Sequence, residues 1–360
     1  MEADEGPVWP EAVTPLLNHH LDGLLKKDGF KVSAMDPCLY WRGDVYLLLY
    51  VDDILLFSSN EEEIAKVKAL LMSKVSIRDM GKAERFLNIN VKKEGQVYTI
   101  DQADYIQKLA QRFNLEECRR ASKPLPSGIG ELEKTKADLK CTRPIRSLIG
   151  GLLYLANVSR PDIMASVSLL SRFMSKPSEL LWSSACQVLR YLVATKDRKL
   201  KLGKLDEKQL EVYADSDFAS DVQSRKSQSG FLVKLYGSTV CWYSKKQSTV
   251  STSSGEAELV ALASGVSETI GVKQLLEELG IVVATPIPIK EDNKTCIIMV
   301  KDGTRVKHID VKYHFVQDHI KKGTFKVEYI STSDQAADVL TKANPSVPFD
   351  RICVEQLGLT

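Results

Sequence analysis

The chain has 360 residues, 44% of them hydrophobic and 27% charged, which is typical of a globular protein with two or three cores of about 100–200 residues each. Its formal net charge of +2 neither demands nor excludes a polyanionic partner, and its seven scattered cysteines, without a CxxC pair, argue against a disulfide framework or a thiolate zinc site. No apolar run reaches the ~18 residues of a membrane span and no targeting signal is recognisable, so we expect an intracellular protein, cytoplasmic or nuclear, that does not enter a membrane.

The first recognisable elements are β-strands followed by a helix. Residues 38–58 form two β-rich runs on either side of Gly43-Asp44, a dipeptide that favours a tight hairpin turn. Asn60 and Glu63 then have the spacing of a capping box, and apolar residues recur after them at helical spacing. This order predicts a hairpin followed by a helix.

A second hairpin and a helical region come next. Residues 86–100 alternate around a Glu-Gly turn, and residues 101–113 have the cap and the period of a helix. The segment 121–143, rich in proline, glycine and mixed charge, is predicted to be a linker. Beyond it, residues 146–158 and 162–192 predict further helices.

The last third of the chain changes to a strand-rich pattern. Three strand-like runs come first, and a helix from Ser253 to about Leu279 follows them. A short strand at 286–293, a helix, a basic stretch, a strand at 325–330 and a final helix starting near Asp334 complete the order. We therefore predict an α/β fold, with a mixed sheet flanked by helices, after an α+β first half.

Four acidic residues lie where these strands end or helices begin. They are Asp215 on the first strand, Glu258 in the first helix, Asp292 at the end of the fourth strand and Asp338 in the last helix. Carboxylates brought together in a dry site repel one another unless a cation binds, and an all-oxygen cluster suits Mg²⁺ or Mn²⁺. Two such ions about 4 Å apart can activate water on one side of a phosphodiester and stabilise the leaving oxygen on the other.

Six motifs spanning about 130 residues surround these acids: YADSDFASD (213–221), SRKSQSGFLV (224–233), WYSKKQSTVSTSSGEAELVAL (242–262), EDNKTC (291–296), VKHIDVKYHFVQDHI (306–320) and STSDQAADVLTK (331–342). Together they resemble the ribonuclease H domain of copia-type LTR retrotransposon polyproteins. The resemblance implies an RNase H fold that cuts the RNA strand of an RNA–DNA hybrid with two divalent ions, held by the four acids named above. Of the two glutamates in GEAELVAL, the family pattern favours Glu258 with Ala261, and Glu256 is the alternative.

Basic residues in the last third are candidates for holding nucleic acid. Lysine and arginine outnumber acids between residues 301 and 326, and phosphates dominate nucleic-acid affinity without sequence readout. An ordinary charged helix face is the alternative for this stretch, and a core-and-rim position is the alternative for Trp242 and its neighbouring lysines. The candidates are Lys245, Lys246, Arg305, Lys307, Lys312, Lys321 and Lys322.

The first half contains Tyr50-Val51-Asp52-Asp53 between apolar runs, together with the motifs GFKVSAMDPCLYWR (29–42), IRDMGKAERFLNINV (77–91), YIQKLAQRFNLEECRRASKPL (105–125) and RSLIGGLLYLANVSRPDIMASVSLLSRFMSKP (146–177). From about residue 22 to 202 the chain resembles the reverse transcriptase of the same polyproteins, in which a YxDD hairpin presents carboxylates to metal ions. The resemblance implies that Asp52 and Asp53 are metal ligands. It also implies a further aspartate and a fingers subdomain upstream, and only about 50 residues precede Asp52, so we expect a truncated polymerase that is inactive alone.

The expected protein is a retrotransposon Pol-derived chain whose RNase H domain cuts RNA–DNA hybrids. Two alternatives stay open: a reverse transcriptase that works with another Pol chain or a dimer partner, and a nucleic-acid-binding relic without catalysis. The domains are expected at 22–120 (partial reverse transcriptase palm and thumb), 121–204 (linker and connection helices) and 205–345 (RNase H), between an unassigned start (1–21) and a C-terminal tail (346–360).

Overall fold

The computed structural model describes residues 13–125, 132, 138, 141–302, 310–342 and 349–360, with side chains from residue 20 onwards in the first helix. The chain divides into two compact units. The first comprises the residues up to Phe86 together with Gly271–Val282. The second comprises Leu87–Ile270 and Val283–Thr360.

The first unit contains a four-stranded antiparallel sheet in the order β1-β2-β3-β4. The predicted turn at Gly43-Asp44 is confirmed, because it joins β2 to β3 with Gly43 in the left-handed region, at a φ of +60°. A second hairpin joins β3 to β4, so three strands rather than two occupy residues 38–58. The elements are α1 (Val13–Lys27), β1 (Lys31–Val32), β2 (Leu39–Arg42), β3 (Val45–Tyr50), β4 (Asp53–Phe57), α2 (Glu61–Lys74) and β5 (Arg85–Phe86).

The helix α2 begins at the predicted cap. The Asn60 side chain accepts a hydrogen bond from the backbone N–H of Glu62 (2.9 Å). The reciprocal half of the capping box is not formed, because the Asn60 N–H donates to the Ser58 hydroxyl and Glu63 pairs with Lys66 instead. Apolar residues of both helices and of the sheet make one core: Leu21, Leu25, Phe30, Tyr40, Val45, Leu47, Leu49, Val67 and Leu71.

The remaining helices and strands lie in the second unit, except that the end of the helix Ser254–Glu278, from Gly271 onwards, belongs to the first. The predicted hairpin at 86–100 and the helices at 101–113, 146–158 and 162–192 are confirmed, whereas most of the predicted linker lies outside the described residues. The elements are β6 (Ile89–Glu94), β7 (Val97–Asp101), α3 (Ala103–Arg112), α4 (Ile145–Val158), a 3-10 turn (Pro161–Ile163), α5 (Met164–Ser171), α6 (Glu179–Ala194), β8 (Leu200–Leu202), β9 (Leu210–Asp217), β10 (Gln228–Leu235), β11 (Ser238–Lys246), α7 (Ser254–Glu278), β12 (Ile287–Glu291), α8 (Lys294–Asp302), α9 (Asp310–Lys321), β13 (Phe325–Tyr329), a 3-10 turn (Thr332–Asp334), α10 (Asp338–Thr341), α11 (Phe349–Arg351) and a π turn (Ile352–Gln356).

A five-stranded mixed sheet is the centre of the second unit, in the order β11-β10-β9-β12-β13. The strands β9, β10 and β11 are antiparallel, while β12 runs parallel to both β9 and β13. A parallel neighbour requires a crossover connection, which α7 supplies between β11 and β12. The predicted α/β class, with a mixed sheet flanked by helices, is confirmed.

The helices α3 to α6 share one hydrophobic core with this sheet. Tyr213 and Leu232 of the sheet belong to that core, and Trp242 packs against it while its indole N–H donates to the Ala156 carbonyl oxygen (2.7 Å). Trp242 therefore lies at the rim of the core. The final residues also join it, because Leu359 is fully buried and the backbone of Thr360 exchanges hydrogen bonds with Lys199 (2.8 and 3.0 Å).

Among the described helices, α7 is long enough and apolar enough to cross a membrane, judged by length and composition alone. The sequence analysis did not predict such a helix. Half of its apolar window is buried inside the molecule. Leu259, Leu262 and Val266 on this helix are fully buried. Such burial is the ordinary position of a core helix, which passes the same length and composition test.

Candidate metal centre

Three acidic side chains from separate elements converge in the second unit. Asp215 lies near the carboxyl end of β9, Asp292 directly follows β12, and Glu258 is one turn into α7. Each offers a carboxylate oxygen, and these oxygens all lie within 4.8 Å of one another. The strands bring the two aspartates together because β9 and β12 are parallel neighbours, whose carboxyl ends meet at the same edge of the sheet.

Burial makes this cluster electrostatically costly without a cation. It raises the pKa of Asp215 to about 6, although the Lys342 ammonium and a hydrogen bond from the Thr341 hydroxyl oppose the shift. Burial, followed by the charges of Glu291, Asp215 and Asp292, raises the pKa of Glu258. Both shifts favour the protonated forms, so a bound cation would reduce the cost of ionising the cluster.

Glu291 is a further buried acid that sequence reasoning did not single out. Burial raises its pKa well above the usual value, and the Asp292 and Asp215 carboxylates add to the shift while the backbone N–H of Asn293 opposes it. The period-two pattern of β12 contained the signal, since Glu291 follows Ile287 and Ile289 on the buried face.

Asp338 begins α10 beside the cluster, but it is not a member of the 4.8 Å group. The side chain of Asp338 is 1% exposed, and its Oδ1 accepts a hydrogen bond from the Lys342 ammonium one turn later. Burial opposes charging of Lys342, but the carboxylates of Asp215 and Asp338 raise its pKa above the usual value. The fourth acid therefore has a protein cation as its partner.

The two glutamates at the start of α7 have different contacts. Glu256 accepts hydrogen bonds from the backbone N–H (2.6 Å) and the hydroxyl (2.7 Å) of Thr252, close to the start of the helix. Glu258 instead contributes to the acidic group. A spacing of two residues turns the side chains about 200° apart on a helix, so only one of the two can face the sheet edge.

The residues fit a hard divalent cation. Glu258 Oε2 and Asp338 Oδ2 are buried and have no hydrogen-bond partner among the described residues. Buried carboxylate oxygens without partners are costly, and a divalent ion would satisfy them. Because every donor in the set is an oxygen, Mg²⁺ and Mn²⁺ are the ions that it suits.

The candidate nucleic-acid-binding lysines differ in their freedom to contact a ligand. Lys245 and Lys321 are exposed, and Lys321 donates to the Gln317 side chain (3.0 Å). The other lysines are more engaged: Lys246 pairs with Asp221 (2.8 Å), Lys322 pairs with Asp318 (2.7 Å), and burial lowers the pKa of Lys312, while Arg305 and Lys307 lie outside the described residues.

In the first unit, Asp52 and Asp53 are exposed at the turn between β3 and β4. Tyr50 pairs with Asp53, so Val51 and Asp52 form a two-residue turn with Val51 at a φ of +54°. This left-handed conformation of a β-branched residue costs about 1–3 kcal/mol. In the part of the chain that the structure describes, no third acidic side chain joins this pair within 4.8 Å.

Comparison with known proteins places these features in a family context. A family model described as reverse transcriptase (RNA-dependent DNA polymerase) matches residues 12–127. The Pol polyprotein of transposon TNT 1-94 from Nicotiana tabacum is 32% identical over 94% of this chain and 26% of its own length. That of transposon RE1 from Arabidopsis thaliana is 34% identical over 92% and 23%. A transposon Ty5-1 protein of Saccharomyces cerevisiae is 35% identical over 71% of this chain and 85% of its own length.

The chain spans about a quarter of the length of the two plant polyproteins. Among solved structures, LC11-RNase H1 in complex with an RNA/DNA hybrid is similar with 14% identity and a TM-score of 0.29, over 37% of this chain and 93% of that one. The N-terminal RNase H domain of a Mycobacterium tuberculosis protein is similar with 19% identity and a TM-score of 0.27, over 38% and 91%.

Proposed function

Because the chain belongs to the copia-type retrotransposon Pol polyprotein family, we propose that its second unit hydrolyses the RNA strand of RNA–DNA hybrids. Two divalent ions, Mg²⁺ or Mn²⁺, are proposed as cofactors, with Asp215, Glu258, Asp292 and Asp338 as their ligands. The observation that carries the proposal is the convergence within 4.8 Å of three carboxylates, from β9, from α7 and from the residue that follows β12. Those acids also lie in the motifs that resemble the ribonuclease H domain.

The chemistry follows from the charge of the site. Bound divalent ions would supply an activated water and a counter-charge for the leaving oxygen of the phosphodiester. The chain's own residues orient the ligands: the Thr332 hydroxyl donates to Asp292 Oδ2 (2.7 Å), and the Thr341 hydroxyl donates to Asp215. Hydrogen bonds of this kind from neighbouring groups fix the orientation of metal ligands.

Substrate binding is proposed to depend on backbone phosphates. Lys245, Lys321 and Lys322 are exposed, and the set of proposed contacts is completed by Lys246, Arg305, Lys307 and Lys312. For each phosphate neutralised by such a residue, the logarithm of the affinity would fall by roughly 0.7–0.9 for every tenfold rise in salt concentration. A steep salt dependence is therefore expected for hybrid binding.

Cleavage of a labelled RNA–DNA hybrid by the full chain tests the proposal. Glu258→Gln removes one carboxylate of the cluster and should abolish cleavage in Mg²⁺ or Mn²⁺. Glu268→Gln makes the same change at an exposed position of the same helix, and cleavage should persist. A folded wild-type chain that binds the hybrid but cuts nothing in either ion would contradict the proposal and would support a non-catalytic nucleic-acid-binding protein.

A second candidate function concerns the first unit. We propose that Asp52 and Asp53 bind metal for polymerisation only when another Pol chain, a dimer partner or a further part of a longer polyprotein supplies a third carboxylate. Their exposed position at a strained hairpin turn supports this role. Residues 1–360 alone should then fail to extend a primer, and primer extension that is lost in Asp52→Asn would contradict this requirement.

A further inference from the structure

Gln335 is a buried amide that links the two strands carrying the aspartates of the metal centre. In sequence, Gln335 lies between β13 and α10, and it is 2% exposed. Its Nε2 donates to the carbonyl oxygen of Ala214 (2.9 Å) and lies 3.3 Å from that of Lys290. The first of these carbonyls immediately precedes Asp215, and the second lies two residues before Asp292.

The Gln335 amide makes these hydrogen bonds where the pairing between β9 and β12 ends. The registered pairs of β9 and β12 are Ile289 with Val212 and Lys290 with Tyr213. Beyond Tyr213, β9 remains paired with β10, and β12 remains paired with β13 as far as Glu291. Both strands are therefore held on their outer sides, and the amide donates to one carbonyl of each across the gap between them.

The same residue is connected to the fourth acid. Gln335 Oε1 accepts a hydrogen bond from the backbone N–H of Ala337 (3.2 Å), and its backbone carbonyl accepts one from the N–H of Asp338 (3.2 Å). The extended conformation of Gln335 separates the preceding 3-10 turn from α10, which is why α10 begins at Asp338, whereas the sequence predicted a helix starting near Asp334. One side chain thus contacts the backbone next to three of the four acidic positions.

We infer that Gln335 is a positioning residue for the metal centre, which sets the gap between the strand ends bearing Asp215 and Asp292 and the approach of Asp338. This inference rests on the proposed function. Gln335 contacts backbone atoms of the ligand-bearing segments, so its effect on an ion is indirect. Groups that orient metal ligands from outside typically change metal affinity by about 10–100-fold when they are removed.

Metal affinity of the folded protein separates this role from a merely structural one. In the full chain, Gln335→Met keeps the length of the side chain but removes both hydrogen-bonding atoms, and Gln335→Asn keeps an amide that is one methylene shorter. Gln228→Met is the matched control, because Gln228 is also a buried glutamine of this unit, yet its Nε2 donates to the Ser244 hydroxyl (2.8 Å) instead of to the acid-bearing strands. Urea unfolding of all variants reports the shared loss of stability.

The deciding measurement is the affinity for Mn²⁺ at neutral pH, obtained by titration with electron paramagnetic resonance detection of the free ion. We expect Gln335→Met to weaken Mn²⁺ binding by about 10–100-fold and Gln335→Asn to weaken it less, while Gln228→Met loses stability without losing Mn²⁺ affinity. Wild-type affinity in both folded Gln335 variants would overturn the inference and leave the proposed function intact. A folded wild-type chain that binds no Mn²⁺ would overturn both.

Discussion

The ammonium group of Lys342 donates to Oδ1 of Asp338 from one helical turn away, with the aspartate almost fully buried. The charge of Asp215 also raises the pKa of Lys342, after the opposing effect of burial. Lys342 is therefore a cation built into the edge of a cluster that otherwise contains carboxylates. Without a divalent ion, its positive charge opposes their mutual repulsion.

Removing this cation should destabilise the metal-free protein. We expect Lys342→Met to lower the free energy of unfolding by about 1–3 kcal/mol, less than for a fully buried pair because the Lys342 side chain is 34% exposed. Mn²⁺ should then stabilise the variant more than the wild type, since the ion replaces the lost charge. Urea unfolding in EDTA and in Mn²⁺ measures both effects.

The control for this substitution is Lys322→Met, which removes a lysine from an exposed pair with Asp318 at the same spacing of four residues. Its stability should not change measurably, because exposed ion pairs contribute little. Equal destabilisation by the two substitutions would show that Lys342 has no special relation to the acidic cluster.

The acidic cluster should make metal-free stability fall as the pH rises. A carboxyl whose folded pKa exceeds its unfolded value takes up protons on folding, so for Asp215, with a pKa of about 6, the loss runs from about pH 4 to pH 6. The pKa of Glu258 is raised in the same direction. In EDTA, Glu258→Gln should therefore be more stable than the wild type at pH 8, and this advantage should shrink towards pH 5.

Glu268→Gln, at an exposed position of the same helix, is the matched control for that pH series, and its stability should depend on pH as that of the wild type does. Unfolding curves at several pH values, each recorded with and without Mn²⁺, provide the comparison. If Glu258→Gln is less stable than the wild type throughout in EDTA, mutual repulsion of the carboxylates is not what shapes the site.

The Arg160–Asp162 ion pair should be essential to the helical part of the second unit. The two side chains are almost fully buried and joined by two hydrogen bonds (2.9 and 2.6 Å), and Tyr191 donates to Asp162 as well (2.6 Å). Asp162→Asn leaves the Arg160 charge buried without its partner, so we expect a loss of about 3–5 kcal/mol at pH 7. Urea unfolding measures it.

The stability contributed by the Arg160–Asp162 pair depends on pH with the opposite sign to the stability of the acidic cluster. Burial opposes charging of Asp162, but Arg160 and Tyr191 hold its pKa below the usual value. The stability it contributes is present above the unfolded pKa of about 4 and is lost as the pH falls through the lower folded value, so wild type and Asp162→Asn should converge in acid. Asp350→Asn, at the exposed partner of Arg198, should show a much smaller effect.

The C-terminal residues should contribute to stability as core residues. Leu359 is fully buried, whereas Val354 in the same segment is 48% exposed. We expect Leu359→Ala to lower the free energy of unfolding by about 2–5 kcal/mol and Val354→Ala to change it little. Chemical denaturation of the two variants measures these changes. Equal effects would mean that the C-terminal segment does not pack in solution as described.

The sequence by itself determined the local elements and the kind of chemistry to look for. The turn at Gly43-Asp44, the cap at Asn60 and the alternating strand that carries Asp215 are encoded by neighbouring residues, because backbone preferences and side-chain periodicity act over a few positions. The motifs around Asp215, Glu258 and Asp292 pointed to one family, and the acidic residues pointed to a hard metal ion.

Only the tertiary structure decided how distant residues meet. It separated Glu256, which bonds to Thr252, from Glu258, which joins the acidic group, and it brought Lys342 onto Asp338. It also brought Gln335 to the carbonyl of Ala214, which lies 121 positions away in the chain. Contacts of this kind depend on how helices and strands pack and on the register in which strands pair, and neither is encoded by local pattern.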